Sequence, residues 1–106
     1  MSKVQSLNKR YTKDKSICNV TFRLPKDAVV NAKRVNLVGD FNNWDKNALK
    51  MTVLKNGSAK IVLPLKSGQE YRFRYLINGF KWENDWSADR YETSPMAWED
   101  NSIVKV

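Results

Sequence analysis

"EYRFRYLINGFKW", Glu70 to Trp82, is the stretch that decides the fold. Tyr71, Phe73, Tyr75 and Ile77 alternate with Arg72, Arg74 and Leu76. A period of two puts alternate side chains on opposite faces of a strand. Asn78-Gly79 then supplies a turn, because Asn and Gly both tolerate positive φ, and "FKW" returns beside the first run. If the aromatic set fills a core, Arg72 and Arg74 project from the outer face of the same sheet. On that parity, truncating Arg74 is expected to leave the fold almost undisturbed.

The rest of the chain repeats the pattern. In "SICNVTFRL", Cys18, Val20, Phe22 and Leu24 share one face, and Pro25 ends the strand. "RVNLV" is a second strand. "MTVLKNGSAKIVLPL" carries Asn56-Gly57 between two apolar runs, a tight-hairpin signal. "KSGQ" turns the chain again, and "NSIVKV" closes it as a last strand. No helical period runs to a useful length, and no repeat or linker divides the chain. The expected fold is all-β: an immunoglobulin-like antiparallel β-sandwich of about seven strands. At 106 residues the chain suits a single core. Residues 1–15 read as a basic leader, expected to be flexible, and residues 16–106 as the sandwich.

Composition removes several functions. The chain has no His and one Cys, so Cys/His zinc sites and His-dependent nucleophile systems cannot be assembled. Four glycines include no phosphate-binding loop. Glu83, Asp85 and Asp89 form the densest carboxylate set, but a glycosidase needs its two carboxylates across a cleft, and a chain this short holds little cleft. A binding module is expected rather than an enzyme, with no cofactor and no metal. The single Cys18 allows no internal disulfide. Its parity with Val20 and Phe22 predicts burial. The basic N-terminus has no apolar run behind it, and nothing approaches the length of a membrane span, so a cytoplasmic location with no membrane partner is expected. A net charge of +8 raises nucleic acid or another anion as a partner.

"VNLVGDFNNWD", Val35 to Asp45, sets Phe41 and Trp44 among turn formers. Gly, Asp and Asn neighbours cannot easily bury Trp44, so it is expected to be exposed, with Phe41 tying the loop to the core. Trp86 and Trp98 are evenly balanced between capping the core and serving a ligand. Exposed Trp beside Arg and Asn suits stacked nucleobases or sugar rings. The axial C–H face of glucose lies flat on an indole, and its hydroxyls then need fixed donors and acceptors. Nucleic acid is disfavoured, because the basic residues do not interleave with the aromatics except at Arg72, Arg74 and Lys81.

These segments carry a resemblance. "VNLVGDFNNWD" resembles the opening motif of the starch- and glycogen-binding modules of carbohydrate-binding module family 48, found beside the catalytic domains of branching and debranching enzymes. "YRFRYLINGFKWENDW" is similar to the family's aromatic strand, its Asp-Gly or Asn-Gly turn and a Trp followed by Asp, and "DNSIVKV" to its terminal strand. The free-standing form with "CNVTFRLPKDA" is similar to small bacterial proteins labelled isoamylase early-set domain. The resemblance implies that Trp44 and Trp82 stack on sugar, and that Arg74 (where the family often has Lys) and Asn101 bond hydroxyls. Arg72, Lys81 and Trp98 are further candidates. The chain departs from the family by one extra residue in the turn before Trp82, and by "MAWED", which matches no contact motif. The implied function is non-catalytic binding of α-glucan: glycogen, starch or malto-oligosaccharide. The alternative is an immunoglobulin-like domain that docks on a glycogen- or starch-metabolising enzyme without binding sugar itself.

Overall fold

A computed structural model of the chain describes residues 7–93 and 100–106. Nine strands are present among them: β1 (Leu7–Tyr11), β2 (Ile17–Leu24), β3 (Val35–Gly39), β4 (Thr52–Val53), β5 (Ala59–Lys66), β6 (Glu70–Ile77), β7 (Lys81–Glu83), β8 (Arg90–Thr93) and β9 (Asp100–Lys105). They form two antiparallel sheets. One has the order β1-β2-β5-β4; the other has the order β3-β6-β9-β8, with β7 also paired to β6. This is the expected immunoglobulin-like sandwich.

The core is where the two inner faces meet. Phe22 of β2 packs edge-on against Phe73 of β6, ring centres 5.0 Å apart, and Phe73 meets Tyr75 at 5.6 Å. Cys18, Val20, Leu24, Leu37 and Val104 are fully buried with them. Phe41 tilts against Phe22 at 5.6 Å and Tyr71 at 6.1 Å, so it anchors the loop after β3 to the core. The turns follow their residues. Gly57 has φ +91°, and the amide of Leu54 donates to the Ser58 carbonyl across that hairpin. Asn78 adopts φ +54°, and its side-chain oxygen accepts from the amides of Lys33 and Arg34.

Two strands lie where the sequence pattern predicts none. β1 falls inside the basic stretch that composition reads as a flexible leader. Its pairing with β2 sets buried Leu7 opposite Phe22. Its other inward positions, Lys9 and Tyr11, are polar or exposed, so no apolar alternation announces it. β8, "RYET", shows no apolar alternation either, and is held by its register with β9.

The outer face of the β3-β6-β9-β8 sheet corrects a second expectation. Val38 pairs with Arg74, Leu76 with Trp82, and Arg72 with Ile103, so these residues share that face. Val38, Leu76 and Ile103 are buried, and Arg74 among them is only 8% exposed. Parity placed Arg74 on the correct face, but the centre of that face is covered.

Candidate functional site

The loop carrying Trp44 starts from a glycine that the packing requires. A Cβ on Gly39 would press on the Arg72 carbonyl and lie 2.8 Å from Phe73 Cβ. The chain then makes one 3-10 turn, Asp40–Asn42, and passes through Asn43 and Trp44 at φ 55° and 58°. Two successive non-glycine residues in the left-handed region are strained, and such strain persists only when the surroundings enforce it. Asn42 does much of this. Its Oδ1 accepts from the Gly39 amide at 3.1 Å, and its Nδ2 donates to the carbonyls of Leu37 and Asp45, each at 3.2 Å. The Trp44 amide donates back to the Gly39 carbonyl at 2.9 Å.

Asp40 fixes the indole. Trp44 Nε1 donates to Asp40 Oδ1 at 2.9 Å, while Asp40 Oδ2 accepts from the Arg72 amide at 2.8 Å. Trp44 is therefore half-buried and tied to β6, rather than free in solvent as its neighbours suggested. Sequence reading passed over Asp40 as a turn former. Its second role depends on β6 lying alongside.

β6, β7 and β9 together position the other side chains. Arg74 Nε donates to Asn101 Oδ1 at 2.8 Å, and Asn101 is buried too. The Arg74 guanidinium carbon lies 5.9 Å from the centre of the Trp82 ring. Lys46, two residues after Trp44, places its ammonium 5.8 Å from that ring. Both contacts are cation–π pairs. Arg74, Trp82, Glu83, Asn84 and Asp100 line a shallow open concavity of about 360 Å³. Asn84 spans it, donating to the Asp100 carbonyl at 2.7 Å and accepting from Ser102 Oγ at 2.8 Å.

The inner side of the same strands braces this arrangement. Buried Tyr75, next to Arg74 in sequence, donates from its hydroxyl to Asp85 Oδ2 at 2.6 Å. The Asp85 amide donates to Oγ of Ser102, the neighbour of Asn101. Burial, reinforced by the Asp85 charge and hydrogen bond, pushes the Tyr75 hydroxyl pKa well above its ordinary value.

The structure thus brings Arg74, Trp82 and Asn101 together, and Lys46 of the Trp44 loop reaches Trp82, while Trp44 itself is held by Asp40 and does not line the concavity. Arg72 is committed elsewhere: its Nε bonds Glu92 Oε1 at 2.8 Å, and a guanidinium nitrogen lies 3.7 Å from Asp40. The Glu92 contact, more than any other, raises its pKa further. Strand alternation turns Lys81 away from Trp82, and Lys81 does not line the concavity. Trp98 lies outside the described residues. Trp86 is 53% exposed, with Nε1 donating to Glu83 Oε2 at 3.1 Å, so it does not cap the core.

The donors and acceptors suit a neutral polar ligand with an apolar face. Among the described residues no group of three His, Cys, Asp or Glu could hold a metal ion, and no helix is long and apolar enough to cross a membrane. Among curated proteins none matches the chain. The profile of one family does match, across residues 29–97, a span that holds the Trp44 loop, Arg74 and Trp82. By that match and by its sandwich, the chain belongs to the carbohydrate-binding module 48 family, the isoamylase N-terminal domain.

Proposed function

We propose that this domain binds α-glucan (glycogen, starch or malto-oligosaccharide) without catalysing a reaction on it. The observation that carries the reading is a half-buried indole, Trp82, set beside a buried Arg74–Asn101 pair in an open concavity. Glucose offers one apolar face and a rim of hydroxyls. The indole takes the face, and Arg74, Asn84 and Asn101 bond the rim. One stack hiding ~60–80 Å² of apolar surface contributes roughly 1.5–2 kcal/mol. With Trp44 as a second platform, net affinity falls between about millimolar and tens of micromolar. Arg74 is anchored by Asn101, whereas Lys46 is an exposed loop residue. Lys46 is the cation that moves when a sugar stacks on Trp82. The concavity is shallow and open, which suits a polymer chain laid across it. A cytoplasmic location goes with the same reading.

Titration with maltoheptaose, followed by tryptophan fluorescence, tests it. Trp82→Ala and Trp44→Ala should each weaken binding about tenfold. Wild-type protein that ignores maltoheptaose, or a Trp82→Ala protein that binds it unchanged, would overturn the reading.

A further inference from the structure

The outer face of the β1-β2-β5-β4 sheet lies on the far side of the sandwich from Trp82, and the charged residues of its four strands are all basic. None of its four strands contains an Asp or Glu. Strand alternation turns Arg10, Arg23, Lys60 and Lys66 outward on it. Among the described residues none of these four forms an ion pair. The other sheet behaves differently: there Arg72 meets Glu92 and Asp40, and Arg90 meets Glu70 and Glu92. Arg23 and Lys60 are direct cross-strand partners. Like charges so placed destabilise a sheet, and an anion between them relieves the repulsion.

The shape narrows the anion. A depression of about 530 Å³ runs between Arg10 at one end and Arg23 with Lys60 at the other. Asn19 and Thr21 form its floor, with half-exposed Val62 beside them. Arg10 pairs with Asn19, and Arg23 lies four residues further along β2, so the cationic ends stand roughly 13 Å apart at strand spacing. Among the described residues no aromatic side chain lines the depression, so unpaired bases have nothing to stack on. A flat sheet face does not enter a duplex groove either. An extended peptide with acidic residues four apart spans both ends, and the amide and hydroxyl of the floor can bond its backbone.

We propose that this face docks an extended acidic segment of a partner protein, leaving the opposite face free for glucan. Arg10 gives the basic N-terminal stretch a part in the surface. The test measures a fluorescein-labelled decaglutamate peptide by anisotropy at low salt. Arg23→Gln with Lys60→Gln should weaken binding about tenfold. Because that change removes a like-charge pair, the melting point should not fall. Lys33→Gln with Lys105→Gln removes equal charge away from the face and should change affinity less than about twofold. Maltoheptaose affinity should be the same in all three proteins, so failure here is distinct from failure of the glucan reading. No peptide binding by the wild type, equal loss in both double variants, or tighter binding of a short duplex DNA than of the peptide overturns the proposal.

Discussion

Arg74→Ala separates what strand parity implies from what packing imposes. Arg72 and Arg74 have the same parity on β6, and the sequence treats them alike. In the structure Arg72 is exposed and paired with Glu92, whereas Arg74 is 8% exposed and bonded to Asn101. Removing Arg74 leaves the buried Asn101 oxygen without its 2.8 Å donor, at a cost of about 1–3 kcal/mol. The contact with Trp82 adds roughly 0.5–1 kcal/mol. Relief of a desolvated charge offsets part of this. A net loss of about 2–3 kcal/mol lowers the melting point of a domain this size by roughly 10–20 °C. Arg72→Ala, which removes only solvent-exposed contacts to Glu92 and Asp40, should lower the melting point far less. Thermal melts by circular dichroism measure both, and maltoheptaose titration should show Arg74→Ala weakened and Arg72→Ala little changed. If Arg74→Ala melts within about 2 °C of wild type, or Arg72→Ala falls equally far, the burial argument is wrong.

Gly39→Ala should destabilise by about 1–3 kcal/mol or more, since the added Cβ meets backbone and Phe73 Cβ rather than a flexible tip; an unchanged melting point would show that the loop has room. Cys18 is fully buried, so a thiol reagent should modify it only as the protein unfolds, and rapid labelling of folded protein contradicts this. Tyr75 should keep its proton as pH rises past 10.0, the ordinary tyrosine value, while the unfolded chain loses its own there. The unfolded state then binds fewer protons, so the stability tied to this group is intact below about pH 10 and declines above it. Phenolate absorbance should rise by the same amount in wild type and Tyr75→Phe until alkaline unfolding; a step near pH 10 missing from the variant would refute the buried assignment.

The alternation of Cys18, Val20, Phe22 and Leu24, and of Tyr71, Phe73, Tyr75 and Ile77, determined the principal core strands without any structure, because a period of two is local. Asn56-Gly57 and Asn78-Gly79 determined turns for the same reason: positive φ is a property of those residues. Phe41 as the loop's anchor was legible too, since nothing polar could use it. Other features depend on partners distant in sequence. β1 and β8 have no apolar alternation and exist through their ladders with β2 and β9. The position of Lys46 over Trp82, the tie from Asp40 to both Trp44 and Arg72, and the facing of Arg23 by Lys60 arise from register between separate strands and loops. Alternation tells which face a side chain takes. Whether that face is open to water is decided by what folds over it, and for Arg74 only the assembled sandwich supplied the cover.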